Sequence, residues 1–295
     1  MSNTLNTLSL NTLSLSSLAL ITSLTTGHSL AAPLTVTVYN PGENAIFPVS
    51  SSLVSGEKEA ILIDAQFSVA DGKALVDLIQ RSGKRLTTVF ISGGDPDFYF
   101  GLEPIQAAFP QAKIVATQQV IDHIQHTKDA KLAYWGPILG AQAPKTVIIP
   151  TLLSSNSLTL EGETLEIRER DTHQAYLWAP AIRTALGCVL VSAGQHLWTA
   201  DSQTPAARLE WSTALERLAA LHPQRVVPGH FLGTEPQGNA AVNFTHDYLR
   251  FYEQALSQSK SSGELIEKLK AAYPALPVDD GMAISAKVNT GEMKW

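Results

Sequence analysis

The stretch TVFISGGDPDFYFGLEPI (Thr88–Ile105) constrains the fold of this chain more than any other. An apolar run, Val89–Ile91, breaks into Ser92-Gly93-Gly94, and Asp95-Pro96-Asp97 follows. Three aromatic residues, Phe98, Tyr99 and Phe100, then lead through Gly101 into a segment with Pro104 near its start. Strand, glycine hinge, close-set carboxylates and an entering helix are the layout of a metal-binding loop. The histidines that such a loop carries are absent.

The surrounding pattern alternates strands and helices. Leu34–Gly42 alternates and ends at a turn pair, and Ile46–Phe67 reads as two strands around a turn, the second (Ala60–Ile63) ending at Asp64. Val69–Gly83 sets Ala74, Leu75, Leu78 and Ile79 at helical spacing with Gly83 as its stop. Thr87–Ile91 is the strand before the loop, and Leu102–Phe109 is a helix with Pro104 in its first turn, where a missing N–H does no harm. A short strand, Ala112–Thr117, and an amphipathic helix, Gln118–Gly140, complete a first half. TVIIPTLL, SLTLEGETLEIRER, AYLWAP and CVLVSAG give a second run of strands. A helix (Pro205–Pro223), a strand (Arg225–His230) and two helices (Val242–Pro274) follow. Two sheets packed face to face with helices outside make one four-layer α/β domain over residues 32–295.

Composition removes several classes of function. The chain has 295 residues, 44% of them apolar, and carries a net charge of −6 with no Lys/Arg-rich run, which argues against nucleic acid or an anionic membrane as the main partner. Residues 1–42 carry no charged side chain. Leu13–Leu24 reads as the apolar part of a secretory signal, with Ser29–Pro33 offering small residues for cleavage after Ala31. The basic start of such a signal is missing, so residues 1–31 read either as an export leader or as a low-complexity tail. The expectation is an exported, periplasmic or secreted protein without stable membrane insertion after processing. The single cysteine, Cys188, lies in an apolar run and reads as a buried, inert thiol.

Several landmarks together resemble the metallo-β-lactamase superfamily: AILIDAQF, VFISGGDPDFYFG, His173 after a second set of strands, LVSAGQHLWTAD and VVPGH. The resemblance spans residues 34–275 and implies the αββα sandwich, with a site among the loops along one edge. It also implies a His-x-His-x-Asp-His loop completed by later His, Asp and His residues around two metal ions. On this chain the loop's three His positions hold Gly93, Asp95 and Phe98, its Asp is Asp97 and its closing glycine is Gly101. The later His is His173, the bridging Asp falls at Gln195 or at Asp201, and the final His is His230.

Asp95, Asp97, His173, His196, Asp201 and His230 are thus the candidate metal ligands. Their oxygen-heavy set suits one Zn, Mn or Fe ion, or none. Four of them also have a structural reading: Asp95 and Asp97 as helix caps, His173 at a strand edge and His196 in the core. Asp97 and Tyr99 are the candidate catalytic residues, Tyr99 through its hydroxyl. His123 and His126 read as a solvated helix face, because nothing acidic joins them in a motif. The expected function is a hydrolase with an atypical mononuclear site, acting on an ester, lactone, thioester or amide bond of a small molecule. A non-catalytic relative that binds a small molecule or a partner in the cleft is the alternative. No Gly-x-Ser-x-Gly elbow, Gly-Lys-Ser phosphate loop or dinucleotide fingerprint is present.

Overall fold

The computed structural model describes residues 1–2 and 33–295. Apart from its first two residues, the leader expected over 1–31 lies outside the described residues. The chain opens with β1 (Thr35–Tyr39), β2 (Ser51–Ser55) and β3 (Glu59–Ile63), paired antiparallel in that order. Helix α1 (Val69–Ser82) then crosses to β4 (Arg85–Phe90), and α2 (Leu102–Ala108) crosses to β5 (Lys113–Ala116). After α3 (Gln118–Leu139), the two-residue strand β6 (Thr151–Leu152) extends the same sheet in parallel. The segment TVIIPTLL therefore closes the first sheet, whereas its sequence suggests an opening strand of the second.

The second sheet runs β11–β10–β9–β8–β7. Its members are β7 (Ser157–Leu160), β8 (Glu163–Arg168), β9 (Tyr176–Ala179), β10 (Thr184–Ala193) and β11 (Arg225–Phe231), with α4 (Pro205–Ala219) crossing between the last two. Helices α5 (Ala240–Ser257) and α6 (Ser262–Ala272) follow as expected, and α7 (Asp280–Asn289) is a third C-terminal helix not foreseen. No helix among the described residues is long and apolar enough to cross a membrane.

Three cores make the layers. Ile61, Ile63 and Phe90 of the first sheet meet Leu177, Leu186 and Val227 of the second between the sheets. Leu62 and Val89 face the other way, against Leu75 and Ile79 of α1 and Ile124 of α3. Cys188, Leu190 and Val226 face Leu215, Tyr248 and Leu249 of α4 and α5. The αββα sandwich is therefore the observed architecture. Period-two alternation along strands buried on both faces produces it, each face finding its own apolar layer.

The turn after β3 is wedged against the loop after β4, and this fixes the site. Asp64 accepts hydrogen bonds from the Ser92 N–H (2.8 Å) and hydroxyl (2.7 Å). The Ala65 N–H donates to the Phe98 carbonyl and the Gly101 N–H to that of Gln66. A Cβ at Gly101 would stand 2.1 Å from the Ala65 carbonyl oxygen, so only glycine allows this approach.

Candidate functional site

The loops leaving β4, β10 and β11 meet α3 and α7 around a cavity of about 630 Å³. Its walls carry five of the six expected metal ligands, Asp95, Asp97, His196, Asp201 and His230. These side chains are engaged with one another and with their neighbours rather than directed at a common point.

His230 and Asp97 form the tightest pair. The His230 Nε2 and the Asp97 Oδ2 are 2.6 Å apart, and because a carboxylate accepts, the ring nitrogen carries the proton. β11 delivers His230 directly beside Ser192 of β10, its partner in the parallel register, and both line the cavity. The Ser192 backbone N–H and carbonyl are both bonded to the Thr245 hydroxyl, which fixes the end of β10. The loop delivers Asp97 through a 3-10 turn, Pro96–Phe98, whose proline sits where no N–H is needed.

Asp95 and Asp201 form a second centre around Lys131 of α3, a residue that no sequence motif singles out. Its Nζ lies 3.4 Å from Asp95 Oδ1 and 3.8 Å from Asp201 Oδ1, with the indole of Trp295 at 5.2 Å. Asp201 also accepts from the Trp198 indole N–H on Oδ2 and from that of Trp295 on Oδ1 (2.9 Å). Burial alone would raise the Asp95 carboxyl, but contact with His123 and the charge of Lys131 outweigh it and hold the group well below the usual carboxylate range. Asp201 moves up, through burial and then the charge of Asp95. Burial works against the Lys131 ammonium, yet Asp95, Asp201 and Asp97 raise its pKa and keep it charged. Helical spacing links Lys131 to Trp135 (i, i+4) and to His123 (i, i+8), the only signal from which it could have been found.

The remaining candidates divide between expected and unexpected places. His123 is not solvated: its ring stacks on His173 at 4.4 Å between centroids and 8° between planes, with Nε2 3.6 Å from Asp95. His126 is exposed, as expected. His173 meets the loop through its backbone, its carbonyl accepting from the Gly94 N–H, and burial lowers its pKa. His196 is 4% exposed and shares its Nδ1 with the Tyr248 hydroxyl at 2.8 Å, the arrangement of a core histidine. Tyr99 is turned away from the cavity into the core because the 3-10 turn sends Phe98 toward the site instead. Its buried hydroxyl has no partner there. Phe98 packs edge-on against His230 at 5.3 Å. Gln195 and Asp201 both line the cavity, and neither is hydrogen-bonded to His230. Cys188 is fully buried in β10, which pushes its thiol pKa up, as an inert thiol requires.

Two facing mixed sheets with helices outside, and a polar cleft among the loops at the strand ends, define the class. The chain belongs to the metallo-beta-lactamase superfamily, whose family profile matches residues 45–230. Among solved structures, a metallo-beta-lactamase family protein from Thermus thermophilus superposes with a TM-score of 0.57 at 15% identity, covering 88% of this chain and 92% of that one. The DIM-1 metallo-beta-lactamase gives 0.53 at 16% identity, with coverage of 75% and 99%. A metallo-beta-lactamase from Pontibacter korlensis gives 0.50 at 15%, with coverage of 75% and 96%. At these identities the likeness establishes the fold. No curated protein matches the chain by sequence.

The superfamily usually binds zinc or another divalent ion, which needs donors converging at about 2.0–2.2 Å. The residues present do not fit that need. Among the described residues no three His, Cys, Asp or Glu side chains converge as a metal-holding group. The ammonium of Lys131 stands between two of the expected ligands, and Asp97 and His230 hold each other. The stacked His123 and His173 rings are nearly parallel, so their in-plane lone pairs lie in separate planes. Position 93 is closed as well: a Cβ there would lie 2.8 Å from the Phe98 ring and 2.9 Å from Val189.

Proposed function

We propose that this protein is a hydrolase of the superfamily that cleaves an ester, lactone, thioester or amide bond in a small molecule, with the Asp97–His230 pair in place of metal-activated water. The pair's 2.6 Å contact at the cavity wall carries this reading. Asp97 orients the imidazole through one ring nitrogen, which leaves the other to take the proton of the attacking nucleophile. Lys131, which also lines the cavity, supplies positive charge toward the oxygen on which negative charge develops. Phe47, Trp135, Trp198 and Trp295 form an aromatic side to the cavity, with Phe47 and Trp135 5.1 Å apart and Trp198 and Trp295 5.1 Å apart. That surface suits an apolar or aromatic acyl or leaving group.

The test is turnover of a panel of aryl esters, thioesters, lactones and anilides by the purified protein. His230→Ala and Asp97→Asn are each expected to lower kcat/KM by about 10²–10⁴-fold, the usual share of general base catalysis. If no compound is turned over faster than by the His230→Ala variant, the cleft is a binding site and the non-catalytic reading replaces this one.

A further inference from the structure

The acidic side of the cleft has a cation of its own. Asp95, Asp97 and Asp201 all line one cavity, an arrangement that self-repulsion would destabilise if nothing stood among them. Lys131 does, with side-chain exposure of only 15% against 18% for Asp95 and 22% for Asp201. An ammonium this sheltered is costly unless it is paired, and here two carboxylates and the face of an indole surround it. The long helix α3 places it: its N-cap, Thr117, accepts from the Val120 N–H, and Ile121 and Ile124 bury the opening turns. Thr127, Lys131 and Trp135 then follow at four-residue intervals along one face.

We propose that the Lys131 ammonium is the resident cation of this site, seated between Asp95 and Asp201 in the role that a metal ion has elsewhere in the superfamily, so that the protein holds its cleft together without metal. The two cations are not equivalent. An ammonium is tethered and cannot be chelated or exchanged. It donates N–H groups but has no open coordination position, so it cannot generate hydroxide from a bound water as zinc does. Any proton transfer in this cleft therefore falls to a side chain, and the His230 imidazole, paired with Asp97 at the cavity wall, is placed for it.

The experiment reads metal content and thermal stability, neither of which depends on turnover. Failure of the hydrolase reading would thus leave it intact, and its own failure would be visible separately. Protein grown with added zinc and manganese is expected to hold far less than one ion per chain, with a Tm unmoved by EDTA. Lys131→Met, which keeps the stem and removes the charge, should lower Tm by roughly 5 °C or more. Millimolar Mn²⁺ or Zn²⁺ should restore part of that loss in the variant and none in the parent. The double variant Asp95→Asn/Lys131→Met, with one stranded charge fewer, should recover Tm without metal. One ion per chain in the parent that survives in Lys131→Met, an unchanged Tm in Lys131→Met, or a double variant no better than the single one would each overturn the proposal.

Discussion

Asp64 leaves β3 at φ +63°, is fully buried, and has its carboxyl raised from 3.8 to about 7, first by burial and despite the two hydrogen bonds from Ser92. The folded chain thus keeps a proton that the unfolded chain has already lost. The stabilisation is complete below pH 3.8 and is lost as pH rises through about 7. Its size is on the order of a few kcal/mol. Asp64→Asn keeps an acceptor for the Ser92 N–H and removes the titration. Urea melts at pH 5 and pH 8 should show the parent losing stability across this interval relative to the variant, and parallel pH profiles would refute the assignment. Gly93 and Phe98 form a second residue-scale unit, because the ring of one fills the room that a side chain at the other would need. Gly93→Ala should cost about 1–3 kcal/mol by overpacking and Phe98→Ala about 3–5 kcal/mol by opening a cavity. In the double variant the combined cost should be clearly less than the sum of the two, measured by a denaturation cycle.

Elements whose sequence carries its own signals were the ones that could be read. Ser68 caps α1 by accepting from the Asp71 N–H, and Gly83 ends it at φ 67°, as its position predicts. β6 reads as a strand but of the other sheet, because two residues set by their neighbour's register carry nothing that says which sheet they join. α7 was missed because its sequence, DGMAISAKVN, is short and glycine-containing, and its stability comes from outside. Arg208 of α4, 2% exposed, bridges to Glu253 of α5 and to the Asn289 side chain of α7, and the Ser285 hydroxyl accepts from the Thr199 N–H. Arg208→Met should cost roughly 3 kcal/mol, since it strips a buried charge from the junction of three helices. It should also raise amide exchange in α7 well above that in α1. Uniform exchange across both helices would show that α7 does not depend on the arginine.

At the scale of the molecule, fold and site were legible to different degrees for one physical reason. The order of strands, helices and landmark loops is a property of contiguous stretches, so it survives in a single sequence. Asp97 and His230 could be picked out because each closes such a stretch, although their direct pairing could not. Lys131 lies in a helix with no motif around it, and its importance exists only where the fold brings it to Asp95 and Asp201. The exchange of space between Gly93 and Phe98 is likewise a fact of packing.

The same dispersal governs when the site is complete. Asp201 has its Oδ1 hydrogen bond from Trp295, 94 positions further along the chain. The Trp295 ring in turn packs at 5.1 Å against Trp198 and at 5.6 Å against Tyr134. Both sheets can be paired before that indole is in place, since neither takes a strand from beyond Phe231. The chamber that the carboxylates and the lysine share is complete only with the residues after α7 in place. In order of synthesis, this indole of the chamber's aromatic side follows every strand of both sheets.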